Sequence, residues 1–190
     1  MWPLLITSVI TLAVIIERAI FVVKESRKRD GECINHTLEL VERGDLPGAL
    51  SAAEGTQDFV CRILGYGLRH HRESLANAIS NAANRELKRF SRGLSVLDTA
   101  ITLAPLLGLL GTVTGLIRSF RFMGSQELTT PVAITGGIAE ALVATAFGLT
   151  IAIMALIPFN YLNARLEEAR QEIEDSTTQL ELLLRNAPPR

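Results

Sequence analysis

Three long apolar runs alternate with polar stretches along this chain. The first, Trp2 to Val23, is interrupted only by Glu17-Arg18. The second, Thr99 to Ile117, is nineteen residues without a charge, TAITLAPLLGLLGTVTGLI. The third, PVAITGGIAEALVATAFGLTIAIMALIPFNYLN, runs from Pro131 to Asn163 with one acid, Glu140; 24 uncharged residues follow that acid, Ala141 to Ala164. At about 1.5 Å per residue, such runs match a hydrocarbon core of roughly 30 Å. The pattern predicts an all-α membrane protein with transmembrane helices over 2–23, 96–120 and 131–162.

The polar stretches are helical in pattern. Residues 24–95 read as a helical loop of short pieces, punctuated by Gly31, Gly44-Asp45, Pro47-Gly48 and Gly55. From Ser74, a candidate N-cap, Leu75, Ile79, Ala82, Leu87, Phe90, Leu94 and Leu97 recur at three-to-five-residue steps. Only Gly93 interrupts them, so one long helix is expected to run from Ser74 into the second span. Residues 121–130 form a connector. Over 163–190, Leu166, Ala169, Ile173, Leu180 and Leu184 continue a stripe opposite Arg165, Glu167, Glu168 and Arg170, which extends the third helix to just before Pro188-Pro189.

Charge orients these pieces. Lys24, Arg27, Lys28 and Arg29 follow the first span directly, and residues 24–95 hold 12 of the 19 basic residues. The positive-inside rule puts that loop and the C-terminal helix in the cytoplasm, with the amino terminus and the 121–130 connector on the outer face; Arg118 and Arg121 are outweighed. Glu17 and Arg18 then lie near the inner end of the first helix, where snorkelling or pairing with a neighbouring helix is expected. A signal peptide would need a basic start and a small-x-small site, and the first run has neither.

Composition agrees: 48 % of the 190 residues are hydrophobic, 21 % are charged and the net charge is −1. That near-zero balance gives no ground for a nucleic-acid partner. Cys33 and Cys61 lack CxxC or Cys/His ligand spacing and are expected as two reduced cytoplasmic thiols. His36, His70 and His71 have no acidic or cysteine partners at ligand spacing, so solvated histidines and no metal are expected. GLLGTVTG lacks the Lys-Ser/Thr ending of a phosphate loop. With no nucleophile–base pair either, an enzyme is not expected.

The candidate chemistry lies in two stripes of small residues. Gly108, Gly111 and Gly115 recur at helical spacing on the second span, with Thr112 beside them. On the third span, Gly137, Glu140, Ala141, Ala144, Thr145, Gly148, Ala152 and Ala155 are expected to share a face, opposite Leu142, Val143, Phe147, Ile151 and Met154. Small residues alone mean close helix packing. Depth adds to this: Thr112 and Thr145 each lie twelve residues, roughly 18 Å, inside their spans, so both hydroxyls reach mid-membrane. Glu140 lies nearer the outer surface, where a carboxyl marks a functional site or a buried pair. Hydroxyls do not titrate near neutral pH, so a proton path needs Glu140 or a carboxyl on a partner. Pro105 frees a carbonyl in the second span that a Thr hydroxyl or another helix can satisfy. A passive structural membrane scaffold remains the alternative.

Ala104-Pro105-Leu106-Leu107-Gly108-Leu109-Leu110-Gly111-Thr112-Val113-Thr114-Gly115 and Gly137-Ile138-Ala139-Glu140-Ala141-Leu142-Val143-Ala144-Thr145-Ala146-Phe147-Gly148-Leu149 carry a further signal, joined by Ile16-Glu17-Arg18. In these motifs the chain resembles the MotA/TolQ/ExbB proton-channel family, the ExbB/TolQ branch most closely, across all three spans. The resemblance implies a bacterial inner (cytoplasmic) membrane protein whose five copies form a ring, the second and third helices lining its pore. A dimer of a single-span ExbD/TolR-type partner would sit inside and carry the proton on its membrane aspartate. A TonB- or TolA-type protein would pass the work to the outer membrane. The family's pore threonines map to Thr112 and Thr145 and its membrane glutamate to Glu140, with protons as the coupling ion and no other cofactor. One departure stands out: Met154 occupies the family's usual proline position, and Pro158 follows four residues later.

Overall fold

The computed structural model describes residues 2–124 and 131–186, with side chains for all of these except 72, 73, 122–124, 131–134 and 186. The described residues are all-α: α1 Trp2–Ser26, α2 Gly31–Glu42, α3 Leu46–Ala53, α4 Phe59–Arg69, α5 His71–Ser91, α6 Leu94–Gly124 and α7 Pro131–Asn186. Three helical stretches are long and apolar enough to cross a membrane. α6 continues through Arg118 and Arg121 to Gly124; positions 125–130 of the expected connector lie outside the described residues. α7 is one unbroken helix of 56 residues, as the stripe of the tail predicts.

The chain divides into two compact units. One comprises Met1–Ala19 with Gly93–Leu162, the other Ile20–Arg92 with Asn163–Arg190.

In the second unit, aspartates set the helix starts. Asp30 accepts from Cys33 N (3.1 Å), Asp45 from Gly48 N (3.0 Å), and Asp58 from Val60 N (2.8 Å) and Cys61 N (3.1 Å), each filling orphan donors of a first turn. Gly44 and Gly55 reverse the chain after α2 and α3 with φ of 78° and 79°. The core packs Val41, Ala49, Val60, Ile63 and Leu64 against Ala169, Ile173 and Leu180 of α7, so the tail stripe is what this core is built on. Phe59 and Phe21 each meet Phe90 edge-on, at 5.1 and 5.4 Å between ring centres.

Asp58, 1 % exposed, ties this unit together. Its Oδ2 also accepts from Asp30 N (3.0 Å) and lies 3.0 Å from Arg29 Nη1, an ion pair without hydrogen-bond alignment. Arg29 stacks 4.7 Å above the Phe59 ring and pairs through Nη2 with Glu172 of α7. Burial raises the Glu172 carboxyl above its ordinary range; Arg29 opposes that, while Asp58 and Glu168 add to it.

Three expectations are corrected, two within this unit and one at Gly93, where the first unit resumes. The thiols of Cys33 and Cys61 are not separate: α2 and α4 bring the residues together and they are joined in a disulfide. His70 and His71 are half-buried rather than solvated; their Nδ1 atoms lie 3.0 Å from the Tyr66 carbonyl and 2.6 Å from that of Leu68, at the C-terminus of α4. The helix expected from Ser74 into the second span breaks at Gly93, whose φ of +82° is in the left-handed region. Ser74, with φ of −166° and ψ of 96°, kinks α5, and its hydroxyl accepts from Asn77 N at 3.4 Å.

Candidate functional site

In the first unit, α1 buries one residue per two turns: Leu4 and Thr11, then Arg18, are 6, 3 and 3 % exposed. Leu4 packs with Ala104 of α6 and Ala144 and Ile151 of α7. Ile151, expected opposite the small face, is therefore buried: it sits about 60° from Gly148, within the width of a packed stripe. Arg18 donates through Nε to Glu17 (2.9 Å), a pairing along its own helix. Its stem lies against Gly93, where a built Cβ would come 3.3 Å from Arg18 Cδ.

α6 and α7 run antiparallel and meet along the two predicted stripes. A Cβ built on Gly108 would lie 3.0 Å from Thr145 Cα, on Gly111 2.6 Å from Ala144 Cβ, on Gly115 2.7 Å from Ala141 Cβ, and on Gly148 2.5 Å from the Ala104 carbonyl oxygen. On Gly137 it would collide with the Ser119 hydroxyl. Ala141, Ala144, Gly108 and Gly148 are buried in this seam. The glycines let backbone approach backbone, which side chains of any size would prevent.

That approach fixes the two hydroxyls. Thr145 Oγ1 donates across the seam to the Gly108 carbonyl at 3.1 Å. Thr112 Oγ1 donates to the Leu109 carbonyl of its own helix at 2.7 Å. Thr112 is one turn, about 5.4 Å, along α6 from Gly108, so the seam brings the two threonines into one neighbourhood. In an antiparallel pair, turning in the same sense from the seam reaches the same side. Thr112 and Thr145 each lie about 70° from its centre in that sense. Both are half-buried.

Glu140 is not brought to them. Five residues from Thr145, it lies about 140° round the helix, on the other flank of the seam. It is exposed, although the sequence spacing put it on the small face. Pro105 leaves the Ile101 carbonyl without its helical donor, and the Thr102 hydroxyl does not relieve it, donating instead to Asp98 (3.2 Å) and Thr99 (3.0 Å). Among the described residues, no cluster of three metal-ligating side chains occurs.

Residues 55–175 match the family described as the MotA/TolQ/ExbB proton channel family. The chain belongs to that family. The match covers both stripes, α4, α5 and the first part of the α7 tail, and leaves out α2 and α3. A putative biopolymer transport protein, ExbB-like 3 of Synechocystis, is 36 % identical over 189 residues, covering 96 % of this chain and 89 % of the relative. The biopolymer transport protein ExbB of Neisseria meningitidis is 28 % identical over 197 residues, with the same coverages of 96 % and 89 %. The Tol-Pal system protein TolQ of Pseudomonas aeruginosa is 41 % identical over 95 residues, 50 % of this chain and 41 % of the relative. The chain is thus a multi-pass membrane protein of the ExbB/TolQ branch, a proton-channel-type subunit.

Proposed function

We propose that this chain is the wall subunit of a proton-driven motor in the bacterial inner membrane, with five copies around a pore lined by α6 and α7. A dimer of a single-span ExbD-type protein occupies the pore, and its membrane aspartate carries the proton. A TonB-type protein transmits the work to outer-membrane transport. Protons are the coupling ion, and no further cofactor takes part.

The hydroxyl geometry carries this reading. Each threonine has one proton and two lone pairs, and both protons are committed to backbone carbonyls. Only acceptor sites are left to face a guest. A neutral carboxylic acid can donate into such a site and a carboxylate cannot, so the threonines favour the protonated form of a partner's acid at mid-membrane. That is the form in which a proton crosses hydrocarbon at least cost. Glu140, exposed on the other flank of the seam and nearer the outer end of α7, stands apart from this acceptor pair, so the threonines and not Glu140 carry the reading.

The test is proton flux in proteoliposomes holding this chain and its single-span partner, read with a pH-sensitive dye. Thr112→Val with Thr145→Val keeps shape and removes both acceptors; the expected result is loss of flux from rings that native mass spectrometry finds intact. Wild-type flux in that variant would leave a passive scaffold as the function, and loss of the ring would assign the threonines to packing. The likeness to TolQ over half the chain favours a second reading, an envelope-maintenance motor with TolR- and TolA-type partners. Which single-span protein co-purifies separates the two.

A further inference from the structure

The chain has two cysteines, and the fold brings them together. Cys33 in α2 and Cys61 in α4 have Cα atoms 6.5 Å apart, 28 positions apart in sequence. Each is the third residue after an aspartate N-cap, its backbone N–H held at 3.1 Å by Asp30 or Asp58. The caps position both residues independently of any bond between the sulfurs.

The surroundings suit either redox state. Cys33 Sγ is 3.7 Å from the Ala52 carbonyl, and Cys61 Sγ is 3.6 Å from the Thr37 hydroxyl, so each sulfur has a polar partner for a thiol proton. Access is unequal. Cys61 is fully buried, whereas Cys33 is half-buried and forms part of the wall of an open cleft of about 790 Å³. Arg27, Lys28 and Arg29 outnumber Asp30 and Glu54 around the same cleft, a balance that favours an anionic small molecule.

We propose that Cys33–Cys61 is a thiol–disulfide exchange site for an anionic low-molecular-weight thiol, with Cys33 the sulfur attacked and Cys61 the buried leaving and resolving sulfur. The thiolate RS⁻ attacks Cys33 Sγ, the Cys33–Cys61 bond breaks, and Cys61 leaves as a thiolate. A second RS⁻ attacks the outer sulfur of the Cys33–S–SR mixed disulfide, releasing RSSR and the Cys33 thiolate. The two protons lost by the incoming RSH molecules are taken up by the two cysteines. In sum, one protein disulfide and two RSH give two protein thiols and RSSR; excess RSSR drives the reverse. The cytoplasmic orientation sets only the resting state, because a reducing pool opens the bond. The exchange itself does not depend on the proposed transport role. Opening the bond removes the covalent tie between α2 and α4 beside Asp58.

The full-length protein in detergent is equilibrated with defined ratios of reduced and oxidised glutathione, acid-quenched, denatured and alkylated. Intact mass should show none or two alkyl groups, with a two-electron dependence on the glutathione ratio. Cys61→Ser should capture one glutathione, and Cys33→Ser about tenfold less, because attack requires access. In the reduced wild-type protein, native-state alkylation followed by peptide mapping should label Cys33 before Cys61; this serves if a serine variant fails to fold. A bond that survives a hundredfold excess of reduced glutathione, a dominant singly alkylated species at equilibrium, or equal labelling of the two cysteines would each overturn the proposal.

Discussion

Gly148→Ala tests whether the α6–α7 seam is set by backbone contact. The added Cβ would lie 2.5 Å from the Ala104 carbonyl oxygen, 3.1 Å from Gly108 Cα and 3.3 Å from the Ala104 carbonyl carbon. All three are backbone atoms, so no side chain can rotate away. A carbon–oxygen contact relaxes at about 3.3 Å, so the helices must part by roughly 0.8 Å there. The Thr145–Gly108 hydrogen bond, 3.1 Å at present, would open to about 3.9 Å, past hydrogen-bond range. Overpacking costs about 1–3 kcal/mol and the lost bond about 0.6, while alanine returns about 1 in helix propensity. The net, about 0.6–2.6 kcal/mol, weakens the folded state by roughly three- to eighty-fold. Gly136→Ala is the control, since nothing lies within 4 Å of its built Cβ. The assay is denaturation of the detergent-solubilised protein by increasing SDS, followed by fluorescence of Trp2, the only tryptophan, two residues before Leu4 in the cluster with Ala104 and Ala144. Equal midpoints for the two variants would refute the close-approach argument.

Other residues give sharper local tests. Asp58→Ala removes the acceptor of three backbone N–H groups and leaves Arg29 with Glu172 as its remaining anionic partner, costing about 3–5 kcal/mol; limited proteolysis should cut the second unit, with Asp58→Asn less sensitive. Gly93→Ala forces a side chain into φ of +82° and against Val14 and Arg18, costing about 1–2 kcal/mol, read as a lower midpoint in the same SDS titration. Glu172 has a raised pKa, so its folded form binds protons more tightly than the unfolded chain; its contribution is most favourable below the ordinary carboxylate range and is lost as pH rises through the folded value. Glu172→Gln should therefore be slightly more stable than the parent at neutral pH, with the difference closing on acidification; a difference that grows towards acid would reverse that sign. Thr145→Ser should keep proton flux while Thr145→Val loses it, because serine preserves the hydroxyl that donates to Gly108 and accepts from a guest.

The spans, the long tail helix and the two small stripes were legible because each is a periodic pattern repeated over many residues. A glycine at every third or fourth position of an apolar helix reads as a close-packing face, and α6 and α7 approach each other at those glycines. What escaped were features resting on single residues. Gly93 does not read as a break in the pattern, because a lone glycine inside a helical pattern costs only about 1 kcal/mol and its φ is not encoded locally. Ile151 lies three residues after Gly148 and Glu140 eight before it, and a small-residue stripe does not say how wide its buried face is. The cysteines were 28 residues apart with helices between them, so their meeting depended on the α2–α4 packing. The buried stripe on α1 was hidden because its members differ: Leu4, Thr11 and Arg18 share spacing but no chemistry.

The same contrast explains how the seam can pack and also, in the proposed motor, serve a proton. Small residues on both helices would suffice for packing alone, and valine fits as well as threonine beside them. A hydroxyl in an apolar helix normally bonds its own turn, as Thr112, Thr114 and Thr150 do. Thr145 instead crosses to Gly108, a bond that exists only because a glycine leaves that carbonyl uncovered by any side chain. The glycine and the threonine are therefore one device: the close approach aims the hydroxyl's proton inward across the seam and turns its lone pairs outward. Substituting Gly108 should then disturb proton handling through Thr145 although Gly108 carries no titratable or hydroxyl group. Packing and chemistry in this seam separate only when the glycine and the threonine are changed independently.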